Sequence, residues 1–227
     1  MSPHSKAHIT ILGERLILLP ERGVFWEKDR TLVVADLHLG KASASRASGV
    51  PIPAGTTNAT LHRLGRTLQQ TGARRLIILG DLWHHPAGNL SAADAFQAWR
   101  KNWREIEILL IPGNHDKSMA ESVGMNIQIG TEGAHEPPFI WRHEPVHACA
   151  ENEQNGYALC GHLHPGIRLN GPARDRMRLP CFHFTENTGI LPAFGELTGL
   201  SMIRPHKGDR VFAVAEERVL EIPVQTS

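Results

Sequence analysis

Leu110-Ile111-Pro112-Gly113-Asn114-His115-Asp116-Lys117 is the stretch from which the rest of the chain can be read. It ends an apolar run, Ile106 and then residues 108–111, with a Pro-Gly break. A carboxamide, an imidazole and a carboxylate follow at once. A buried strand that stops in this way delivers polar groups to the edge of a sheet. One such exit is compatible with an ordinary capped turn. The same pattern recurs at Asp36-Leu37-His38, at Gly80-Asp81 and at Gly161-His162-Leu163-His164, and the recurrence points to a shared site.

The 227 residues, 41% of them hydrophobic, suit one large domain spanning residues 1–227 with a sizeable core. Lys and Arg number 24 against 23 Asp and Glu, so net charge draws the chain toward neither nucleic acid nor membrane. An anionic substrate has to be met locally. The three cysteines, Cys149, Cys160 and Cys181, form no Cys-x-x-Cys pair. The odd number and the spacing suggest neither a disulfide framework nor a zinc ribbon and fit a reducing cytoplasm, with Cys160 and Cys181 read as small core residues. No stretch approaches the ~20 apolar residues of a membrane span, and the first residues lack a signal-peptide core, so a soluble cytoplasmic protein is expected.

In chain order, residues 9–12, 15–19 and 24–26 read as an opening β meander, and 31–35 as a strand covered on both faces. Residues 41–53 form a loop with a short helix. A helix then begins at a capping Thr56 or Thr57, carries Leu61, Leu64 and Leu68 on one face and ends at Gly72. His62 lies off that stripe and reads as a surface histidine. Residues 75–80 make the next buried strand. Ser91 with Asp94 opens a second helix, whose Phe96, Trp99 and Trp103 read as core packing. Beyond the central turn the chain is β-rich, with strands near 126–129, 138–142, 157–161, 166–169, 181–185, 199–203, 210–214 and 217–222. Strand-helix alternation followed by strands predicts sheets packed face to face with helices outside.

Polar residues beyond the carboxyl ends of parallel strands share one open edge, and Asp36, His38, Asp81, Asn114 and His115 all fall there. His162 and His164, two apart after a strand, can face the same cavity. Imidazole, carboxylate and carboxamide without thiolate suit Mn²⁺, Fe²⁺ or Zn²⁺. So many ligands exceed one tetrahedral ion and fit two divalent metal ions sharing a carboxylate. Ions ~3.5–4 Å apart lower the pKa of a bridging water, whose hydroxide can attack a phosphoryl group in line.

The series Asp36-x-His38, Gly80-Asp81, Gly113-Asn114-His115-Asp116, a later lone histidine and Gly161-His162-x-His164 resembles the motifs of the calcineurin-like metallophosphoesterases. Four longer stretches are similar to the bacterial DNA-ligase-associated members of that superfamily, over about Leu32 to Gly199. These are Asp36-Leu37-His38-Leu39-Gly40-Lys41, Arg46-Ala47-Ser48-Gly49-Val50-Pro51-Ile52-Pro53, Gly161-His162-Leu163-His164-Pro165-Gly166 and Leu191-Pro192-Ala193-Phe194-Gly195. The resemblance implies an αββα four-layer sandwich of two mixed β-sheets flanked by helices. It further implies Asp36, His38, Asp81 and His164 on one metal and Asp81, Asn114, His143 and His162 on the other, with Asp81 as the bridge. His143 is chosen over His135 and His147 because a strand at Phe139-Ile140-Trp141 precedes it.

By the same resemblance His115 stands unliganded beside the substrate to protonate the leaving oxygen, with Asp116 orienting its ring. Gly80-Asp81-Leu82-Trp83-His84 departs from the Gly-Asp-x-x-Asp-Arg-Gly of phosphoprotein phosphatases. It resembles the double-strand-break-repair nuclease branch, which makes His84 a candidate near the catalytic histidine and leaves His85 facing outward. Lys41 and Arg46 are candidates for a substrate's other phosphates, as are Arg168, Arg174, Arg176 and Arg178. The reading that follows is a Mn²⁺-dependent phosphodiesterase, a nuclease of DNA repair, acting on DNA and associating with a DNA ligase or helicase. Two alternatives stand beside it: a nucleotide-sugar or other pyrophosphatase, and a low-turnover scaffold for repair proteins.

Overall fold

A computed structural model describes residues 5–84, 90–116, 126–145, 156–170 and 176–224. The first sheet runs in the order β1 (Ala7–Ile11), β2 (Glu14–Leu18), β3 (Val24–Trp26), β4 (Thr31–Ala35), β5 (Arg75–Leu79), β6 (Glu107–Ile111), β7 (Gln128–Ile129). Its first four strands pair antiparallel, as a meander should, and β4 to β7 pair parallel. Helices α1 (Lys41–Ala47) and α2 (Thr56–Thr71) join β4 to β5, and α3 (Leu90–Asn102) joins β5 to β6.

The second sheet contains β8 (Ala134–Glu136), β9 (Phe139–Trp141), β10 (Tyr157–Cys160), β11 (Pro165–Asn170), β12 (Arg176–Phe184), β13 (Thr188–Ile190), β14 (Ser201–Met202), β15 (Arg210–Ala215) and β16 (Arg218–Ile222). Its order is β14-β11-β12-β13-β10-β9-β8, with β15 and β16 attached through β12. Here β9, β10 and β13 are parallel neighbours. No described helix is long and apolar enough to cross a membrane.

Alternation along the strands divides the core in two. Leu32, Val34, Leu76, Ile78, Ile108 and Leu110 face outward against Leu61, Leu64 and Leu68 of α2 and Phe96 and Trp99 of α3. Val33, Ala35, Ile77, Leu79, Leu109 and Ile111 face inward against Phe139, Trp141, Tyr157, Leu159, Phe182, Phe184 and Phe212 of the second sheet. Each fully buried side chain of this kind contributes roughly 1.5–3 kcal/mol relative to exposure. Two mixed sheets packed face to face with helices outside, the sandwich the motifs led us to expect, are thus what the apolar pattern builds. The aromatic face of α3 is core packing, His62 is exposed, and Cys160 and Cys181 are buried free thiols whose pKa values are pushed up by burial.

Several local expectations are corrected. Helix α2 starts from Gly55 in the left-handed conformation, so neither Thr56 nor Thr57 caps it. The Thr57 hydroxyl instead accepts a hydrogen bond from Gly40 N–H, 3.2 Å, which ties α2 to the turn after β4. Ser91 lies inside α3 rather than ahead of it. Strand β14 is only two residues long, and β8 and β13 were not foreseen. Polar Ala134-His135-Glu136 gives no strand signal. It pairs with β9, and Glu136 takes a bidentate ion pair from Arg75 at 2.6 and 2.7 Å. In β13, a Cβ on Gly189 would meet Phe184 and Leu159 at 2.7 and 2.8 Å, so the residue that weakens strand propensity is the one that fits between two aromatic-lined strands.

Candidate metal centre

The carboxyl ends of β4, β5, β6, β9 and β10 open at one end of the sandwich, where each strand hands over to a motif turn. The turns after β4 and β5 keep pairing beyond the strands: His38 N–H donates to Asp81 O (2.8 Å), Leu39 N–H to Leu82 O (2.9 Å) and His84 N–H to Leu39 O (3.0 Å). Asp36, His38, Asp81, His162 and His164 all have positive φ, from 46° to 67°. That left-handed region is uncommon for residues with a side chain, though Asp and His tolerate it better than most. Five candidate ligands are therefore aimed by turns too sharp for ordinary strand exits.

The side chains converge. His38 Nε2 lies 3.2 Å from His164 Nε2, and His164 Nε2 lies 3.7 Å from Asp36 Oδ2. On the other side His143 Nδ1 is 3.8 Å from Asp36 Oδ1, and its Nε2 is 3.7 Å from Asp81 Oδ1 and 3.0 Å from His162 Nδ1. Two metal-sized groups result, Asp36/His38/His164 and Asp36/Asp81/His143, each with ligand atoms within 4.8 Å of one another. Asp36 belongs to both. Asp81 also spans them, with Oδ2 3.9 Å from His38 Nε2 and Oδ1 toward His143. The dyad of carboxylates sits between the two sets of imidazoles, where resemblance gave Asp81 alone the bridging place.

These residues fit divalent cations. Asp36 Oδ1 is buried with no hydrogen-bond partner, although an unpaired carboxylate oxygen away from water is costly. Imidazole nitrogens of different turns crowd against one another and against the two carboxylates, His38 on His164 and His143 on His162, as ligands around a shared cation do, while His143 Nδ1 also lies 3.3 Å from Leu79 O. Burial first, then the positive potential of His164, Lys41, His84 and His115, holds the His38 pKa down at about 2. His38 is thereby kept in the neutral form that ligates.

Asp36 and Asp81 also position the turns that surround them. Asp36 Oδ2 accepts the His162 backbone N–H at 2.9 Å and Asp81 Oδ1 accepts that of His115 at 3.1 Å. Asn114 is exposed on the same turn, and the His115 side chain is 42% exposed with Nε2 3.9 Å from Asp81 Oδ2. The His84 ring lies 5.6 Å from that of His115 and 5.7 Å from that of His38, so the candidate second histidine does adjoin the first.

The Asp116 side chain does something other than orient His115. Its Oδ2 accepts N–H groups of Gly113 (2.9 Å) and Leu82 (3.4 Å), and its Oδ1 accepts that of Trp83 (3.1 Å), clasping the β5 and β6 turns together. Burial raises its pKa against the effect of these bonds. The Lys41 ammonium, half-buried at the start of α1, makes no ion pair among the described residues. Desolvation lowers its pKa while Asp81 and Asp36 pull it back up. Arg46 is engaged locally, donating to Ile52 O, Pro53 O and Ser43 Oγ, so it braces the 50–53 loop. His135 is exposed on β8, whereas His143 is buried within the cluster; His147, His85 and Arg174 lie outside the described residues.

Several supporting residues were not foreseen. A Cβ on Gly80 would come within 1.8 Å of His143 Nδ1, one on Gly113 within 2.3 Å of Asp81 Oδ1 and one on Gly161 within 2.7 Å of Asp36 Oδ2. Each glycine makes room for a ligand. Glu132 Oε2 accepts the His143 backbone N–H at 2.9 Å. The 191–195 segment, singled out only by resemblance, buttresses Asp36: Phe194 N–H donates to Ala35 O (2.7 Å) and Gly195 N–H to Asp36 O (3.0 Å). Arg63 in turn donates to Phe194 O and stacks 4.5 Å above its ring.

The family model for the calcineurin-like phosphoesterases matches residues 29–169. Among solved structures, the Pseudomonas putida nuclease MPE is 35% identical with a TM-score of 0.81, the match covering 96% of this chain and 100% of that one. YfcE, a phosphoesterase from E. coli, is 13% identical with a TM-score of 0.43 over 86% of this chain and 99% of that one, a likeness too slight to bear on the site. Comparison with curated proteins gives no match.

Proposed function

The chain belongs to the calcineurin-like phosphoesterase family and is a metal-dependent phosphoesterase; from that premise we propose a phosphodiesterase that cleaves DNA with two divalent ions. The observation that carries this reading is the pair of overlapping ligand groups, Asp36/His38/His164 and Asp36/Asp81/His143, which share the Asp36 carboxylate, with Asp81 Oδ2 3.9 Å from His38 Nε2 of the first group. Asn114 and His162 complete the proposed ligand set. Such ions would supply a more acidic water as nucleophile and neutralise phosphoryl charge. Mn²⁺ suits the mixed nitrogen and oxygen donors, and Fe²⁺ or Zn²⁺ would also be accepted.

The chain's own residues supply the rest. Asp36 and Asp81 each fix a neighbouring turn with one backbone hydrogen bond, so the ligands arrive pre-organised. His115, open to solvent at the mouth of the cluster and anchored through its backbone N–H, is placed to protonate the departing oxygen, with the His84 ring beside it. Lys41 offers an ammonium without an ion-pair partner among the described residues to a phosphate oxygen. Action on a nucleic acid is supported by the likeness to a nuclease, and DNA as the substrate, a repair setting and a ligase or helicase partner by the motif resemblance alone. Hydrolysis of a bis-aryl phosphodiester and of DNA, stimulated by Mn²⁺, is the expected result. A metal-loaded protein that cleaves neither would overturn the proposal.

A further inference from the structure

The hairpin of β11 and β12 leaves the metal cluster directly, since Pro165 follows His164 in the chain. Arg168 stands opposite Arg178 in its register, and Asn170 stands opposite Arg176. Cross-strand partners and residues two apart share a face, so Arg168, Arg176 and Arg178 form one stripe. All three are exposed, and none has an ion pair or hydrogen bond among the described residues.

Two arginines elsewhere in or beside the second sheet are compensated: Arg210 of β15 lies 2.8 Å from Glu221, and Arg142, just after β9, lies 3.5 Å from Glu132. Like charges placed directly across a ladder destabilise it. A ribbon that presents three guanidinium groups on one exposed face, without a partner among the described residues, is thus poorly built as mere scaffold and well built to meet an anion.

We infer that this ribbon is a phosphate-tracking surface for a nucleic-acid strand whose scissile phosphate lies in the metal cluster. The inference rests on the phosphodiesterase reading and names its substrate class as a polymer. Arg168 is four residues beyond His164, roughly 13 Å along an extended strand, and Arg176 and Arg178 are about 7 Å apart. That second spacing covers two phosphates at the ~3.4 Å axial rise of one DNA strand. Arg176 stands opposite Asn170, six residues or roughly 20 Å of strand beyond His164, farther than a nucleotide sugar seated at the metals would extend. Guanidinium groups suit the contact because each can bind two phosphate oxygens at once.

The test uses the full chain with Arg168, Arg176 and Arg178 all changed to Gln, and a second variant with all three changed to Lys. Binding of a fluorescent single-stranded oligonucleotide is followed by anisotropy in chelator, where nothing is cleaved. The Gln variant should weaken binding about tenfold or more and reduce the slope of log K against log salt by roughly 2, about 0.7 per lost phosphate contact. The Lys variant should restore most of that slope, because it keeps the point charges. With Mn²⁺ present, the Gln variant should raise KM for the oligonucleotide while leaving turnover of a bis-aryl phosphodiester unchanged.

An unaltered salt slope would overturn the inference, and so would an equal loss on the small ester. Loss of binding to phosphatidylserine vesicles with oligonucleotide binding intact would overturn it in favour of a membrane surface. A wild-type protein that hydrolyses no phosphodiester, yet shows the slope change, would sink the catalytic proposal and leave the ribbon standing.

Discussion

Gly80→Ala is the sharpest test of the metal centre, because the structure fixes both what the methyl group strikes and what should follow. The new Cβ would sit 1.8 Å from His143 Nδ1 and 2.3 Å from Cγ, where ordinary contact begins near 3.4 Å. The imidazole must retreat by about 1.6 Å, far outside the ~0.2 Å tolerance of a metal-ligand bond. Gly80 also has φ +75°, which costs a residue with a side chain about 1–2 kcal/mol. Gly13 provides the control: it has φ +84° and nothing within 4 Å of the place its Cβ would take, so Gly13→Ala carries the strain without the collision. Metal content by elemental analysis, metal affinity by calorimetry and melting temperature are measured for both. In chelator Gly13→Ala should lose about 1–2 kcal/mol and Gly80→Ala more, because the collision with the buried His143 ring adds to the same backbone strain. Only Gly80→Ala should lose metal, with a rate deficit on the order of 10²-fold for an ångström-scale displacement. Wild-type metal stoichiometry and affinity in Gly80→Ala would refute the placement of His143 among the ligands.

Asp81→Asn should bind less metal and lose activity, whereas His115→Ala should keep its metal and lose about 10²–10⁴-fold in rate, read by elemental analysis beside kinetics. Asp116→Ala removes the acceptor of three backbone N–H groups and should cost about 3 kcal/mol or more by urea titration; an effect below about 1 kcal/mol would show that the clasp between the β5 and β6 turns is unimportant. In chelator, stability should fall as pH drops below the ordinary histidine value of 6.5, because unfolded His38 takes a proton that the folded residue refuses until about 2. The folded pKa is the depressed one, so the unfolded chain binds more protons in that window and acid favours it. His38→Gln should flatten the dependence, measured as urea midpoints across that range.

The sequence showed the motif turns because each follows an apolar strand that has to be buried on both sides, and burial leaves only the strand ends free for polar groups. It showed the helices around Leu61, Leu64 and Leu68 and around Phe96 and Trp99 by their spacing. What it did not show depends on contacts between distant segments. Nothing in Thr188-Gly189-Ile190 announces a strand, because its place between β10 and β12 is set by Phe184 and Leu159. Arg46 and Asp116 read as active-site groups because their charges sit inside motifs. Their partners, Pro53 O on one side and the Leu82 and Trp83 N–H groups on the other, become visible only when the turns are folded together.

The left-handed turns explain why the centre has to be built as one unit. A single Asp or His in that conformation is unfavourable by itself, and it persists only where its surroundings over-determine it. Here the surroundings are other ligand turns. Asp36 is held by the Gly195 N–H on its own carbonyl and uses its carboxylate to hold His162, while Asp81 holds His115 and receives His38 on its carbonyl. Each carboxylate thus serves two tasks, fixing a neighbouring backbone with one oxygen and facing the imidazoles from the same group. Ligand geometry and backbone strain are consequently coupled: a cation that draws the side chains together also stabilises the turns that present them. The two packed sheets make this coupling possible by supplying, from Val33 to Ile111 and from Phe139 to Phe212, the apolar burial that keeps strained turns in place.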